Sequence, residues 1–190
     1  MSKTVFLRFC LPLIGCCAAM TASAGPAYDA TPSTGQRVAA ALADAQIASD
    51  NADSTGLARA LGVIERSGAH PLDGWTGTDP VPEWRSLVPA TGSPLRGSPL
   101  GPGYRLGQVS AGQSESFEQV FLSGRKASVA IATPDGKPVS LRVTDGDKRI
   151  VCQSGQGAAA CNWVPLFTQR YRIEVRNGGQ QKANYFLVVD

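Results

Sequence analysis

His70 is the single histidine in 190 residues, so acid–base chemistry has few places to start. A hydrolytic triad sets an imidazole beside a nucleophile and an orienting carboxylate. No Gly-x-Ser-x-Gly elbow occurs, Gly112-Gln113-Ser114-Glu115 lies where a hairpin is approached, and His70 stands beside Pro71 in a loop. Paired carboxylates hydrolyse glycosides without histidine. Glu65, Asp73, Asp79 and Glu83 fall near Trp75 and Trp84, which makes Glu83 the centre of an alternative reading as a secreted hydrolase. The simpler reading takes these acids as solvated loop residues.

Cys152 and Cys161 enclose a Gly/Ala-rich stretch. Two thiols without a nearby histidine fall short of a metal site, and a redox pair sits at closer spacing. One structural disulfide is the expectation, closing a short hairpin loop. Asp145-Gly146-Asp147 lacks the spaced oxygens of a calcium loop and reads as a tight turn. Gly101-Pro102-Gly103 and Gly155-Gln156-Gly157 do not open a helix after a strand, as a phosphate loop does. No cofactor and no metal are expected.

The first 24 residues have the layout of an export signal: Lys3 and Arg8, an apolar run from Phe9 to Met20, then Ala22-Ser23-Ala24. The run is shorter than the roughly 20 residues that cross a bilayer, so no transmembrane span is expected. Cleavage after Ala24 removes Cys10, Cys16 and Cys17 and implies a periplasmic or secreted protein, where disulfides persist. Leu13-Ile14-Gly15-Cys16 resembles the bacterial lipobox, and the competing reading is a lipid-anchored envelope protein modified at Cys16. The leader carries two of the eighteen Lys and Arg and none of the fifteen acids. The remainder is nearly neutral, without the basic bias of nucleic-acid binders.

These groups are carried by two kinds of element. After a flexible start at 25–34, the stretch 35–70 reads as a helical hairpin. Its first helix spans Gln36 to Ser49, capped by Thr34 or Ser33, with Val38, Leu42 and Ala45 on one face. The second spans Thr55 to Ser67, with Ser54 as N-cap, Leu57, Leu61 and Ile64 in a stripe, and Gly68 as the stop. Residues 71–102 are too rich in proline and glycine for regular structure, apart from one helical turn at Pro82-Glu83-Trp84-Arg85. Two roles compete for Trp75, Trp84 and Leu87 in this coil. They either plug the hairpin onto the next element or dock a partner.

From Gly103 the period changes to two. Strands are expected near 104–109, 115–122, 126–132, 139–144, 148–153, 161–164, 170–176 and 183–189, at the spacing of a sandwich. Arg170-Tyr-Arg-Ile-Glu-Val-Arg176 alternates strictly, one face wet and one buried. Leu141, Val143, Tyr171, Ile173, Val175, Tyr185, Leu187 and Val189 should face the core. Asp145-Gly146 is the clearest hairpin signal, since Gly accepts the positive φ of a tight turn. Outward Arg142, Arg170, Arg172 and Arg176, interrupted by Glu174, form a candidate stripe for an anionic glycan or head group.

Four stretches stand out in this half: Gly112 to Phe117 (G-x-x-x-S-F), Pro134 to Lys137 (P-D-G-K), Tyr171 to Gly178 (Y-R-I-E-V-R-N-G) and Tyr185 to Val189 (Y-F-L-V-V). On them residues 103–190 resemble the bacterial pre-peptidase C-terminal domain, a small β-sandwich appended to secreted enzymes and envelope proteins. That family usually carries Asp-x-Asp-Leu in a central strand, sometimes linked to calcium; here Val139-Ser140-Leu141-Arg142 holds no acid. The resemblance implies an accessory domain rather than an activity. The expectation is therefore a mainly β protein with a small α part: an antiparallel, jelly-roll-like β-sandwich of about eight strands after a helical hairpin and a Pro/Gly-rich coil. It would work as an exported, non-catalytic binding or assembly module for a protein or glycan of the cell envelope.

Overall fold

A computed structural model describes residues 31–89, 101–155 and 159–190. The leader, Cys16 and the cleavage point after Ala24 lie outside the described residues, as does most of the flexible start. The chain divides into two units, Met1–Thr31 and Pro32–Asp190. The second unit holds the hairpin, the coil and the sandwich.

Helix α1 (Thr34–Asp50) begins at Ser33, whose hydroxyl accepts the Gln36 N–H while the Gln36 side chain accepts the Ser33 N–H. This reciprocal capping satisfies two donors that a helix start leaves orphaned. Helix α2 (Ser54–Arg66) is capped one residue earlier than expected, by Asp53 rather than Ser54. The Asp53 carboxylate accepts the N–H groups of Thr55 and Gly56 at 3.1 and 2.9 Å. Its end agrees with the sequence: Gly68 takes φ 66°. Ala69 and Gly68 then donate back to the carbonyls of Ile64 and Glu65, closing the last turn. Val38, Leu42, Ala45, Leu57, Leu61 and Ile64 are all buried. The alanines of α1 let it sit close between α2 and the sheet beneath.

Among the described residues nine strands are present where eight were expected. The extra one is β1 (His70–Pro71), two residues running parallel to the start of β2 (Gly103–Val109). The others are β3 (Ser114–Phe121), β4 (Ala127–Ala132), β5 (Val139–Thr144), β6 (Ile150–Ser154), β7 (Ala159–Trp163), β8 (Gln169–Asn177) and β9 (Ala183–Val189). One sheet has the order β1-β2-β9-β4-β7 and the other β3-β8-β5-β6. Apart from β1 every pairing is antiparallel, and most successive strands alternate between sheets, the wiring of a jelly roll. All eight residues expected to face the core are buried between the sheets.

The β5–β6 hairpin corrects one expectation. Positive φ falls on Lys148, at 62°, and not on Gly146. The Asp145 carboxylate accepts the N–H groups of Asp147 and Arg149 at 3.0 and 2.8 Å, so a side chain shapes the turn that glycine was expected to shape. The disulfide forms as expected, with Cα atoms 5.7 Å apart, but it does not close a hairpin. Strand β6 is the edge of one sheet and β7 the edge of the other, so the bond staples the two layers.

A second apolar core lies outside the sandwich. Phe186 and Val188 leave β9 on the side opposite Tyr185 and Leu187. They pack with Tyr104 and Ala130 against Val38, Leu42 and Ala45 of α1. The short helix α3 (Val81–Ser86) starts with prolines, which suit a first turn. It delivers Trp84 into this core, 3 % exposed, its ring 6.0 Å from Phe186. The order is therefore helix pair, first sheet, second sheet.

This packing sets two stability expectations. Trp84→Ala should cost about 3–5 kcal/mol, whereas Leu87→Ala, at a side chain 55 % exposed, should change stability by no more than about 0.5 kcal/mol; denaturant titration of both variants checks the contrast. Mass measurement with and without reductant should find Cys152 and Cys161 bonded, and reduction should cost about 2–3 kcal/mol, the loop-closure value for so short a span.

Candidate functional site

The candidate partner residues of the coil are separated by the fold. Trp84 is core. Leu87 stands exposed beside the α1–α2 turn, against Ala48, Ser49 and Leu57. Trp75 is half-buried and lines a cleft of about 450 Å³ on the outer face of the first sheet.

That cleft exists because the helix pair does not cover the whole sheet. On β2 and β9 the outward residues pair in register as Leu106 with Phe186 and Gln108 with Asn184. The first pair supplies an apolar floor. The second supplies two amides that hold one another, Gln108 Nε2 donating to Asn184 Oδ1 at 2.7 Å. Gln46 of α1, Thr78 of the coil and Pro134 of the β4–β5 turn complete the walls. Trp75 is held by its backbone, its N–H donating to the Leu72 carbonyl at 3.0 Å. Its ring lies over Gly77, where a Cβ would collide with the indole. Among the described residues no ionisable side chain lines the cleft. The site is thus an aromatic surface beside neutral amides, with the Asn184 amide donor, the Gln108 and Gln46 carbonyls and the Thr78 hydroxyl as hydrogen-bonding groups. A larger depression of about 640 Å³, lined by Ala40, Ala41, Ala48 and Ala60, is the furrow between α1 and α2.

The arginines lie on the other side of the sandwich. Arg170, Arg172 and Arg176 leave the wet face of β8, with Arg142 on neighbouring β5. Glu174 stands opposite Arg142, 3.8 Å between charged atoms, and Glu118 lies 3.5 Å from Arg170. Two of the four cations are therefore ion-paired, in exposed pairs of small energetic weight. The stripe shares no residue with the Trp75 cleft.

The four acids of the hydrolase reading are also dispersed in role. Glu65 holds Arg85 in an ion pair. Asp79 accepts the Tyr104 hydroxyl at 2.9 Å and the Val81 N–H at 3.1 Å, pinning the coil to β2. Asp73 and Glu83 are exposed. His70 lies in β1, its N–H donating to the Pro102 carbonyl. Among the described residues no cluster of three or more His, Cys, Asp or Glu is arranged for a metal.

Inside the sandwich, Tyr185 donates to Glu115 at 2.7 Å, and Glu115 also holds Arg105, whose guanidinium lies 4.5 Å from the Phe117 ring centre. Burial, and then the bond to Glu115, push the Tyr185 phenol well above its ordinary pKa; burial and the bond to Asp79 do the same for Tyr104. Gln46, Gln108, Asn184 and Thr78 are not among the sequence candidates. Gln108 and Asn184 sit at outward strand positions, where polar residues read as solubility. Only the pairing of β2 with β9, 76 residues apart, brings them together.

No protein-family model and no curated protein matches the chain. Among solved structures, the chain is similar to PliG, a periplasmic inhibitor of g-type lysozyme from Aeromonas hydrophila. Identity is 12 %, covering 47 % of this chain and 84 % of that one, at TM-score 0.40. The pre-peptidase C-terminal domain of a Bacillus anthracis collagenase gives 13 % identity, 46 % and 87 % coverage and TM-score 0.39. A mitogen from Yersinia pseudotuberculosis gives 8 %, 47 %, 84 % and 0.40.

The two phenols set an alkaline limit. In the unfolded chain both ionise near pH 10; in the fold their pKa values are raised. Their protonated forms therefore stabilise the fold fully below about pH 10, and that stability is lost as pH rises further. Denaturant titrations from about pH 8 to 11 should show the decline, with a flatter slope in Tyr185→Phe.

Proposed function

We propose that this chain is an exported, non-catalytic binding module that takes an uncharged glycan of the cell envelope into the Trp75 cleft. The observation that carries the reading is the make-up of the cleft: one fixed indole and neutral amides, with no ionisable group lining it among the described residues. A charged ligand would shed water there without finding a counter-charge. A sugar ring suits it better. Its C–H face meets the electron-rich face of the indole, while its hydroxyls donate to the Gln46 and Gln108 carbonyls and accept from the Asn184 amide. A lining without acid or base among the described residues supports binding over turnover. About 450 Å³ falls within the range of small-ligand clefts, and the Cys152–Cys161 bond fits an oxidising compartment.

Calorimetric titration of the purified protein with neutral cell-wall oligosaccharides tests the reading. Saturable binding is expected, weakened about thirtyfold or more in Trp75→Ala, with an unchanged melting temperature. Equal binding by wild type and variant, or silence across the panel, would refute the cleft. Product release abolished by Glu83→Gln would establish the hydrolase instead.

A further inference from the structure

Three connections meet at one end of the sandwich: the β3–β4 turn (122–126), the β5–β6 turn (145–149) and the β7–β8 loop (164–168). They form a single surface. The Gly124 N–H donates to the Pro165 carbonyl at 2.8 Å and the Ser123 N–H to the Thr168 hydroxyl at 3.0 Å. Gly146 lies against Gln169, the first residue after the loop. Below them Phe121 packs edge to face on Trp163 and on Tyr171, and those two rings are tilted against each other, with ring centres 4.8 to 5.6 Å apart, a rigid base.

On this tip Leu166 is 83 % and Phe167 72 % exposed, with Val164 and Leu122 at half or more. Large apolar groups gathered at one end of a molecule, on a loop fixed by hydrogen bonds, mark an interaction surface. The charges around them have one bias. Arg125, Lys126, Lys148, Arg149 and Arg170 flank the tip, against Glu118, Asp145, Asp147 and Asp190, the last bonded through its backbone to Ser128. Glu118 is paired with Arg170 and Asp147 with Arg149, and Asp145 is taken up by its own turn. Among the described residues no carboxylate lies within ion-pair distance of Arg125, Lys126 or Lys148.

We propose that this tip docks on an anionic phospholipid surface, with Leu166 and Phe167 entering the head-group boundary and Arg125, Lys126 and Lys148 facing the phosphates. Projecting apolar side chains ringed by unpaired cations match such a surface in both respects, since apolar insertion and attraction to anionic lipid act together. The site is independent of the Trp75 cleft.

Flotation of the purified protein with vesicles of phosphatidylglycerol and phosphatidylcholine, against phosphatidylcholine alone, tests the proposal. Binding should be at least about tenfold stronger to the anionic vesicles and should weaken with salt. It should be lost in the double variant Leu166→Ser, Phe167→Ser, reduced in Lys126→Glu, Lys148→Glu, and unchanged in Trp75→Ala. These substitutions are at exposed positions, and an unaltered thermal melt confirms the fold. Equal binding to both vesicle types, or undiminished binding by the serine variant, would overturn the proposal. So would a concentration-dependent dimer that the serine variant abolishes, because the tip would then be covered by a second copy.

Discussion

Strand β9 is apolar on both faces, and the architecture depends on that. Its residues from Tyr185 to Val189 are all buried, and no two-layer sandwich can hide such a strand, since alternate side chains leave on opposite sides. One set, Tyr185, Leu187 and Val189, fills the interior between the sheets; the other, Phe186 and Val188, needs a third layer. The helix pair is that layer. Its own narrow stripe gains stability only by packing on β4 and β9, so helices and sheet complete one another. Trp84 matters for the same reason: its coil is proline-rich, but the indole closes the gap beside Phe186.

The two sheets are joined by different means along their sides. At the β6 and β7 edges a covalent bond does it. Toward the opposite side, β2, β3 and β9 are linked by Arg105, Glu115 and Tyr185. There Gly107 leaves room for the Tyr185 ring to lie against bare backbone, where a Cβ would collide with it. Arg105 and Glu115 are only partly buried, so their pairing offsets much of the water each gives up, and the phenol stays protonated as a donor.

Much of this is legible in the sequence, and the reasons differ by element. Strand β8 alternates so regularly that its wet and buried faces can be read from spacing alone. Strand β9 is legible as a strand, yet its unbroken apolar run holds a further signal, since strands covered on both sides read this way. Spacing assigns Tyr185, Leu187 and Val189 to the core but leaves the opposite face unassigned. Ser54 and Asp53 are both good caps, and only the observed geometry chooses between them. The turn at Asp145 is correctly placed by its Asp-Gly pair, but the carboxylate and Lys148 shape it rather than Gly146. The Trp75 cleft is half legible: the tryptophan draws attention, but Gln108 and Asn184 acquire meaning only from strand register. Val164-Pro165-Leu166-Phe167 passes as a plain connector, although four apolar residues between strands are themselves a signal.

The position of β9 between β2 and β4 also sets the order in which the protein can take shape. Both neighbours are made earlier, yet neither pairs with the other; each waits for the strand that joins them. The helices and seven long strands all precede the central strand of the first sheet in the chain. Contacts at so great a sequence separation form slowly. The first sheet therefore closes only when β9 docks between β2 and β4.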